Sequence, residues 1–223
     1  MKNIPVLYEN EEILVVNKAA GIPVQGGVSI KHPLDRELSV QQGYKVYLVH
    51  RLDRDTAGIL VVAKTPAAAS RWTKILGSGG VRKEYRAVCI GMPRGGMQGT
   101  IRQAVVQHGR TRNAVTQYKI LAVGTAAGSN AAGPVKLSLV SLRLDTGRMH
   151  QIRIHLAAQG APIAGDDRHG DFGTNKILKK SDGIRQLLLA SCSLSLPLAA
   201  GEKTFTIPLP EYMQSVVDTF TYL

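Results

Sequence analysis

The chain has 223 residues and a formal net charge of +12, from 28 basic against 16 acidic groups. At that length one large domain or two small ones can bury roughly 70% of the unfolded surface, so no disulfide or metal staple is required. Cys89 and Cys192 stand far apart without CxxC spacing, which argues against a redox motif or zinc site. The N-terminus lacks a signal pattern and no apolar run approaches about 18 residues, so a soluble cytoplasmic protein is the expectation.

Residues 4–17 read as two short strands, Val6-Leu7-Tyr8 and Ile13-Leu14-Val15-Val16, joined by an acidic turn at Asn10-Glu11-Glu12. Lys18 to Gly27 is a loop punctuated by Gly21, Pro23, Gly26 and Gly27. A charged knot, His50 to Thr56, lies between the apolar strands Tyr47-Leu48-Val49 and Ile59 to Ala63. Pro66 to Leu76 reads as a helix: Pro66 suits its first turn, and Ala68, Trp72, Ile75 and Leu76 recur near helical spacing. Gly77-Ser78-Gly79-Gly80 ends it. Val81 to Ile90 alternates as a strand with Tyr85, Ala87 and Cys89 on one face, and Gly91 to Gly99 is a glycine-rich turn. His108, within QHGRTRN, reads as an exposed-loop residue. Thr116 to Val123 and Val135 to Leu144 form a hairpin pair, and the segment GTAAGSNAAG between them lacks an apolar period and reads as a mobile tip. A second polar knot, Asp145 to His155, leads into a helix ending near Gly160. Leu187 to Leu196 and Lys203 to Leu209 are closing strands, and Glu211 to Phe220 is a terminal helix.

Strands dominate and mostly connect as hairpins, while helices occur singly. The expected class is α+β, with a mixed, mostly antiparallel central sheet flanked by helices and loops. There is no internal repeat and no clear linker, so residues 1–223 are expected to form a single domain.

Three polar clusters sit beside strands. In the first, His50-Arg51-Leu52-Asp53-Arg54-Asp55-Thr56, an aspartate between two arginines is held ionised, and the arginines can reach phosphate or a displaced base. Read alone it is either a catalytic site or a surface ion cluster. The second is Lys83-Glu84-Tyr85. The third runs from Thr146 to Leu156, where His150, Arg153 and His155 cannot all share one helix face, but a turn at Thr146-Gly147 would direct some of them to one site. The charge is lopsided: residues 64–112 hold ten basic groups and one acid, Glu84. Such a field draws in polyanions. Arg82, Lys83, Arg86, Arg94, Arg102, Arg110 and Arg112 are therefore RNA-contact candidates as a group, alongside the plainer reading of solvated charge.

HRLDRDTAGIL resembles the HRLDxxTSG signature of the RluA-type family of RNA pseudouridine synthases. KEYRAVCIG is similar to that family's KxYxAxVxG strand, and LDTGRMHQIRIHLAAQGAPIAGDDRHG to its LxTGRxHQIRxHLxxxGxPIxGDxxYG block. Three blocks in order over Ile4 to about Pro210 are a specific match. The resemblance implies a pseudouridine synthase fold, in one catalytic domain over residues 1–223, and an isomerisation of uridine to pseudouridine in structured RNA, ribosomal or transfer, without cofactor or metal. It implies that Asp53 is the catalytic aspartate, acting ionised on C1′ or C6 of the uridine or stabilising charge during cleavage. Arg153 is the cation implied to pair with it, holding the carboxylate deprotonated. Tyr85 is the implied base platform, and Arg51 the residue implied to enter where the flipped base was. Arg54 is left as a phosphate or surface contact. Flipping costs a few kcal/mol of unstacking, which phosphate contacts along the basic flank and stacking must supply.

The chain departs from the family pattern at Ala57, where Ser is usual, at His169, where Tyr is usual, and at Ala190 and Leu196, where a His and a Phe are usual. These bear on substrate fit or rate more than on reaction type. The chain opens directly on the catalytic block, so a small N-terminal S4-like domain is not expected, and loops 77–83 and 94–112 are expected to choose the RNA. Monomer is the default expectation. A rival reading is a non-catalytic RNA-binding or ribosome-assembly factor on the same fold. A third, a nuclease or glycosidase built on Asp53 and Asp55, is weak, because carboxylates at i and i+2 on a strand face opposite ways and no metal-ligand cluster accompanies them.

Overall fold

The structure is a computed structural model, and it describes residues 3–27, 30–107, 109–130, 133–218 and 220–222. His108 lies outside the described residues. The first elements in chain order are β1 (Val6–Glu9), β2 (Ile13–Lys18), α1 (Leu34–Gln42), β3 (Tyr47–Leu48), β4 (Ala57–Ala63), α2 (Pro66–Gly77) and β5 (Lys83–Ile90). Then come β6 (Gln98–Arg102), β7 (Val105–Gln107), β8 (Arg110–Arg112), β9 (Val115–Asn130) and β10 (Gly133–Leu144). The chain closes with α3 (Gln151–Ala158), α4 (Phe172–Ser181), β11 (Leu189–Leu198), β12 (Gly201–Thr206), α5 (Glu211–Val217) and β13 (Thr221–Tyr222). This is the expected α+β class with a mixed, mostly antiparallel sheet.

The chain divides into two compact units. The first takes the chain up to Lys83 and adds Ser191–Pro208; the second takes Glu84–Ala190 and the chain from Leu209 onward. Neither is a continuous stretch, and among the described residues there is no third.

In the first unit β1 pairs with β2 and β2 with β4, both antiparallel, and β3 also pairs with β4. β12 runs antiparallel to β11. Every residue of β4 is buried, as expected of the run Ala57-Gly58-Ile59-Leu60-Val61-Val62-Ala63 with no polar residue to turn outward. Its core gathers Ile13, Val15, Ile59, Val61, Trp72 and Leu76 with Leu194, Leu196, Phe205 and Ile207. α2 starts where Thr65 caps it: the Thr65 hydroxyl accepts the Ala68 amide at 3.1 Å, and Pro66 occupies a first-turn position whose N–H would be orphaned anyway. Trp72 and Leu76, one turn apart, face the core, and the Trp72 indole N–H finds the Glu12 carboxylate at 2.9 Å.

In the second unit β5 pairs with β10 and β10 with β9, all antiparallel, with β6 and β13 on β9. β7 and β8 form a separate two-stranded ribbon. The sequence reading misses α1, β6, β7, β8, α4 and β13. It also takes residues 124–133 for a mobile tip, whereas β9 continues to Asn130. The Asp182 carboxylate accepts the Ala127 and Gly128 amides at 2.6 and 3.1 Å, and the Phe220 ring packs where a Cβ on Gly124 would collide with it. The apolar period is absent there because these contacts are made by backbone and by glycine. Residues 131 and 132 of that segment lie outside the described residues. Of the closing elements, β12 spans Gly201–Thr206, not Lys203–Leu209, and the terminal helix stops at Val217.

Candidate active site

Residues 51–56 are an irregular turn, not strand, so the alternation argument applied to Asp53 and Asp55 does not hold there. The turn is held at main-chain carbonyls. The Thr56 amide donates to the Asp53 carbonyl at 3.2 Å, the Gly21 amide to the Arg54 carbonyl at 2.9 Å, and the Arg54 Nε back to the Gly21 carbonyl at 3.2 Å. Asp53 and Asp55 are half-buried, and Arg51 and Arg54 exposed. Behind the turn β4 begins, and Gly58 (φ 114°) lets the Ser191 backbone approach so closely that a Cβ would run into its carbonyl.

The organiser of this turn is Lys18, to which the sequence reading assigns no role. It ends β2 in register with Gly58 and is fully buried. Its ammonium donates to the carbonyls of Ala19 (3.0 Å), Ile22 (2.9 Å) and Arg54 (2.8 Å), so three donors meet three acceptors. Burial pushes the ammonium down to about 7, against the opposing pull of Asp55 and then Asp53. The sequence signal was there: a cation ending the apolar strand ILVVNK has no water to solvate it.

Lys18→Met strands three carbonyls and is expected to cost about 1–3 kcal/mol at neutral pH. The unfolded chain keeps the lysine proton up to about its ordinary 10.5, whereas the folded chain releases it near 7. Between those values the unfolded state binds more protons, so this group makes stability rise with pH. Urea midpoints taken below 7 and at about pH 9 should rise in the wild type relative to Lys18→Met; parallel pH profiles would remove Lys18 as the source.

His50, at the entrance to the turn, accepts the Val61 amide on Nε2 at 2.9 Å, so Nδ1 carries the proton. Burial, and then the charge of Lys83, push the imidazole down to about 3. A neutral, acceptor-committed ring fits a structural role.

In the second unit Tyr85 lies on β5 in register with Leu142 and is 8% exposed, as buried as a core residue. Arg153, on α3, is buried and bidentate to Asp166: Nε to Oδ2 at 2.8 Å and Nη2 to Oδ1 at 2.6 Å, with Asp167 at 3.1 Å. Asp166 is fully buried, and its Oδ1 also accepts the Arg168 and His169 amides at 2.9 Å. Burial raises its pKa, but the Arg153 hydrogen bonds and the two amides outweigh that and hold the carboxyl below its usual range. No sequence signal marks Asp166 as this partner beyond its place in GDDRHG.

Just before α3 stands His150, a non-glycine residue with positive φ (54°). Its Nδ1 lies 3.0 Å from the His169 Nε2, where the family pattern has tyrosine. Buried Gln151 uses its whole amide: Oε1 accepts from the Thr146 hydroxyl and Arg148 amide, and Nε2 donates to the Val115 carbonyl and the Thr116 hydroxyl. Thr116 then bonds His155 Nδ1 at 2.9 Å, and His155 Nε2 lies 2.8 Å from the Gln103 carbonyl. A carbonyl can only accept, so His155 is the Nε2–H tautomer and the Thr116 hydroxyl donates to Nδ1. The expected turn at Thr146-Gly147 is thus secured by Gln151, and His155 is committed to this chain of bonds.

Of the RNA-contact candidates, Arg51, Arg54, Arg82, Arg110 and Arg112 are exposed. Lys83 donates to the Leu76 carbonyl at 2.8 Å, and burial lowers its ammonium. Arg86 donates to the Ser141 hydroxyl at 2.7 Å. Among the described residues no group of three His, Cys, Asp or Glu side chains could hold a metal ion, and no helix is long and apolar enough to cross a membrane.

Residues 12–158 match the family model described as RNA pseudouridylate synthase. The chain is 31% identical to a ribosomal large subunit pseudouridine synthase D of Xylella fastidiosa, over 93% of this chain and 66% of that protein. It is 31% identical to the synthase of the same name from Salmonella typhimurium, over 96% of this chain and 70% of that protein. It therefore spans about two thirds of the length of these relatives. Among solved structures, Human RNA Pseudouridylate Synthase Domain Containing 4 superposes with a TM-score of 0.74 at 25% identity, covering 96% of this chain and 92% of that one.

Proposed function

The chain belongs to the RNA pseudouridylate synthase family, a family of isomerases, and from that premise we propose that it converts uridine in ribosomal RNA to pseudouridine. The observation that carries the reading is the family match over residues 12–158, a stretch that contains Asp53, Tyr85 and Arg153. The relatives' names support ribosomal RNA as the substrate class. The reaction breaks the N1–C1′ bond and rejoins C1′ to C5. The C5 proton leaves, N1 gains one, and no oxidant, cofactor or metal takes part.

In this reading Asp53 is the nucleophile. A half-buried carboxylate in a turn whose backbone is fixed by hydrogen bonds to main-chain carbonyls supports that role, because its position is set before substrate arrives. Arg153 is its electrostatic partner, Tyr85 the base platform, and Arg51 the side chain that takes the place of the displaced base. Arg54, Arg82, Lys83, Arg86, Arg110 and Arg112 contact phosphate. The enzyme works as one catalytic domain over residues 1–223, as a monomer, in the cytoplasm.

The test is tritium release from C5-tritiated uridine in a large-subunit ribosomal RNA transcript, with a transfer RNA transcript as the comparison arm. Release from the ribosomal transcript is the expected result. Binding without release from either RNA would replace this reading with that of a non-catalytic assembly factor.

A further inference from the structure

One helix face in the second unit is left unexplained by the catalytic reading. α4 carries Phe172, Lys176, Lys179 and Lys180 at i, i+4, i+7 and i+8, the spacing of a single face. All four are exposed, Phe172 at 58%, while Thr174 and Leu178 are buried and the helix packs along β9. Lys179 and Lys180 suit the negative end of the helix dipole. That account does not reach Lys176 in mid-helix or Phe172 in the first turn.

The nearby carboxylates are spent elsewhere. Asp171 accepts the Thr174 amide and hydroxyl at 2.9 and 2.8 Å, Asp182 accepts the Ala127 and Gly128 amides, and Asp167 pairs with Arg153. None of the three lysines forms an ion pair among the described residues. Residues 168–185 hold five basic groups, Arg168, Lys176, Lys179, Lys180 and Arg185, against Asp171 and Asp182, so 5 − 2 leaves +3. An isolated exposed phenylalanine needs no explanation. One that heads a row of uncompensated cations has the make-up of a stacking platform beside a phosphate track.

We propose that this face of α4 is a second RNA-contact surface, on which Phe172 stacks against an unpaired base and Lys176, Lys179 and Lys180 hold the adjoining phosphates. It rests on the reading that the chain acts on RNA. The strip from Phe172 to Lys180 is about 12 Å long, enough for a short single-stranded segment. An anionic membrane fits less well, because an interfacial helix inserts its apolar face, and here that face is packed on β9.

The experiment measures binding of the full chain to a fluorescent, uridine-rich single-stranded oligoribonucleotide across a salt series. Vesicles of phosphatidylserine in phosphatidylcholine form a parallel arm. The triple variant Lys176→Gln/Lys179→Gln/Lys180→Gln should bind RNA more weakly, with a log K against log salt slope shallower by about 2, from three phosphates at about 0.7 each. Phe172→Leu should weaken binding about ten-fold with the slope unchanged. Tritium release at saturating ribosomal RNA should keep its kcat and gain in KM. Photocrosslinking of wild-type protein to 4-thiouridine RNA should label a peptide within 172–180, which covers the case of a variant that fails to fold. Unchanged affinity and slope, crosslinks confined to other peptides, or loss of vesicle binding in place of RNA binding would each overturn the proposal. If the wild type releases no tritium but the slope still changes, the isomerase reading falls and this surface stands.

Discussion

Asp53→Asn is expected to lower the isomerisation rate by roughly 10⁴-fold or more while leaving the fold in place. The two side chains have the same shape, but the amide is no nucleophile and cannot carry the negative charge that the step requires. The turn around it should survive, because the Lys18 ammonium, the Arg54 Nε and the Gly21 and Thr56 amides hold it at main-chain carbonyls. Single-turnover tritium release reports the chemistry, and a thermal melt reports the fold. A variant that melts like wild type and keeps a tenth or more of the rate, on the scale on which such losses are read, would remove Asp53 from the nucleophile's role.

Arg153→Met is the substitution expected to cost the most stability. It leaves Asp166, fully buried, with only two backbone amides on one oxygen. Removing one member of a buried ion pair costs about 3–5 kcal/mol, or roughly 6–20 °C in Tm for a chain of this size. The sign with pH also follows. The folded Asp166 carboxyl sits below its unfolded value, so its contribution is present above that value and is lost as pH falls through the lower folded one. Without Arg153 the carboxyl loses its main counterweight to burial, and acid unfolding should begin at higher pH than in the wild type. The double variant Arg153→Met/Asp166→Leu should regain much of the loss, since an apolar pair can replace a buried ionic one. A double variant no more stable than Arg153→Met would show that the pair's geometry, not its charge, is what the site needs.

Much of the first unit was legible because its strands are apolar runs with sharp ends: ILVVNK and AGILVVA can be little else. α1 was not, because LDRELSVQQ buries Leu34, Glu37 and Leu38 and leaves Val40 exposed, too thin a stripe to register as periodic. α4 was hidden in the same way, by the exposed Phe172 and by Gly173. The ribbon of β7 and β8 is too short to show alternation. Of the candidate residues, Asp53, Tyr85 and Arg153 were named by resemblance, while the roles of Lys18 in the first unit and Asp166 in the second came only from the fold. Both act through partners distant in sequence: Lys18 holds Arg54, 36 positions on, and Arg153 reaches Asp166 across 13. Spacing within a motif cannot announce such pairs.

The interleaving of the two units has a consequence for how the chain comes off the ribosome. The core around Trp72 and Val61 is completed by Leu194, Leu196, Phe205 and Ile207, more than a hundred residues later. The N-terminal segment must therefore wait, with one side of β4 unsealed, until the segment Ser191–Pro208 has emerged. The second unit waits in turn for Phe220 to cover Gly124. A truncation at Lys83 or at Ala190 would yield no self-sufficient fragment, and a nascent chain stalled before Ser191 is an aggregation-prone and protease-sensitive species, a natural client for chaperones.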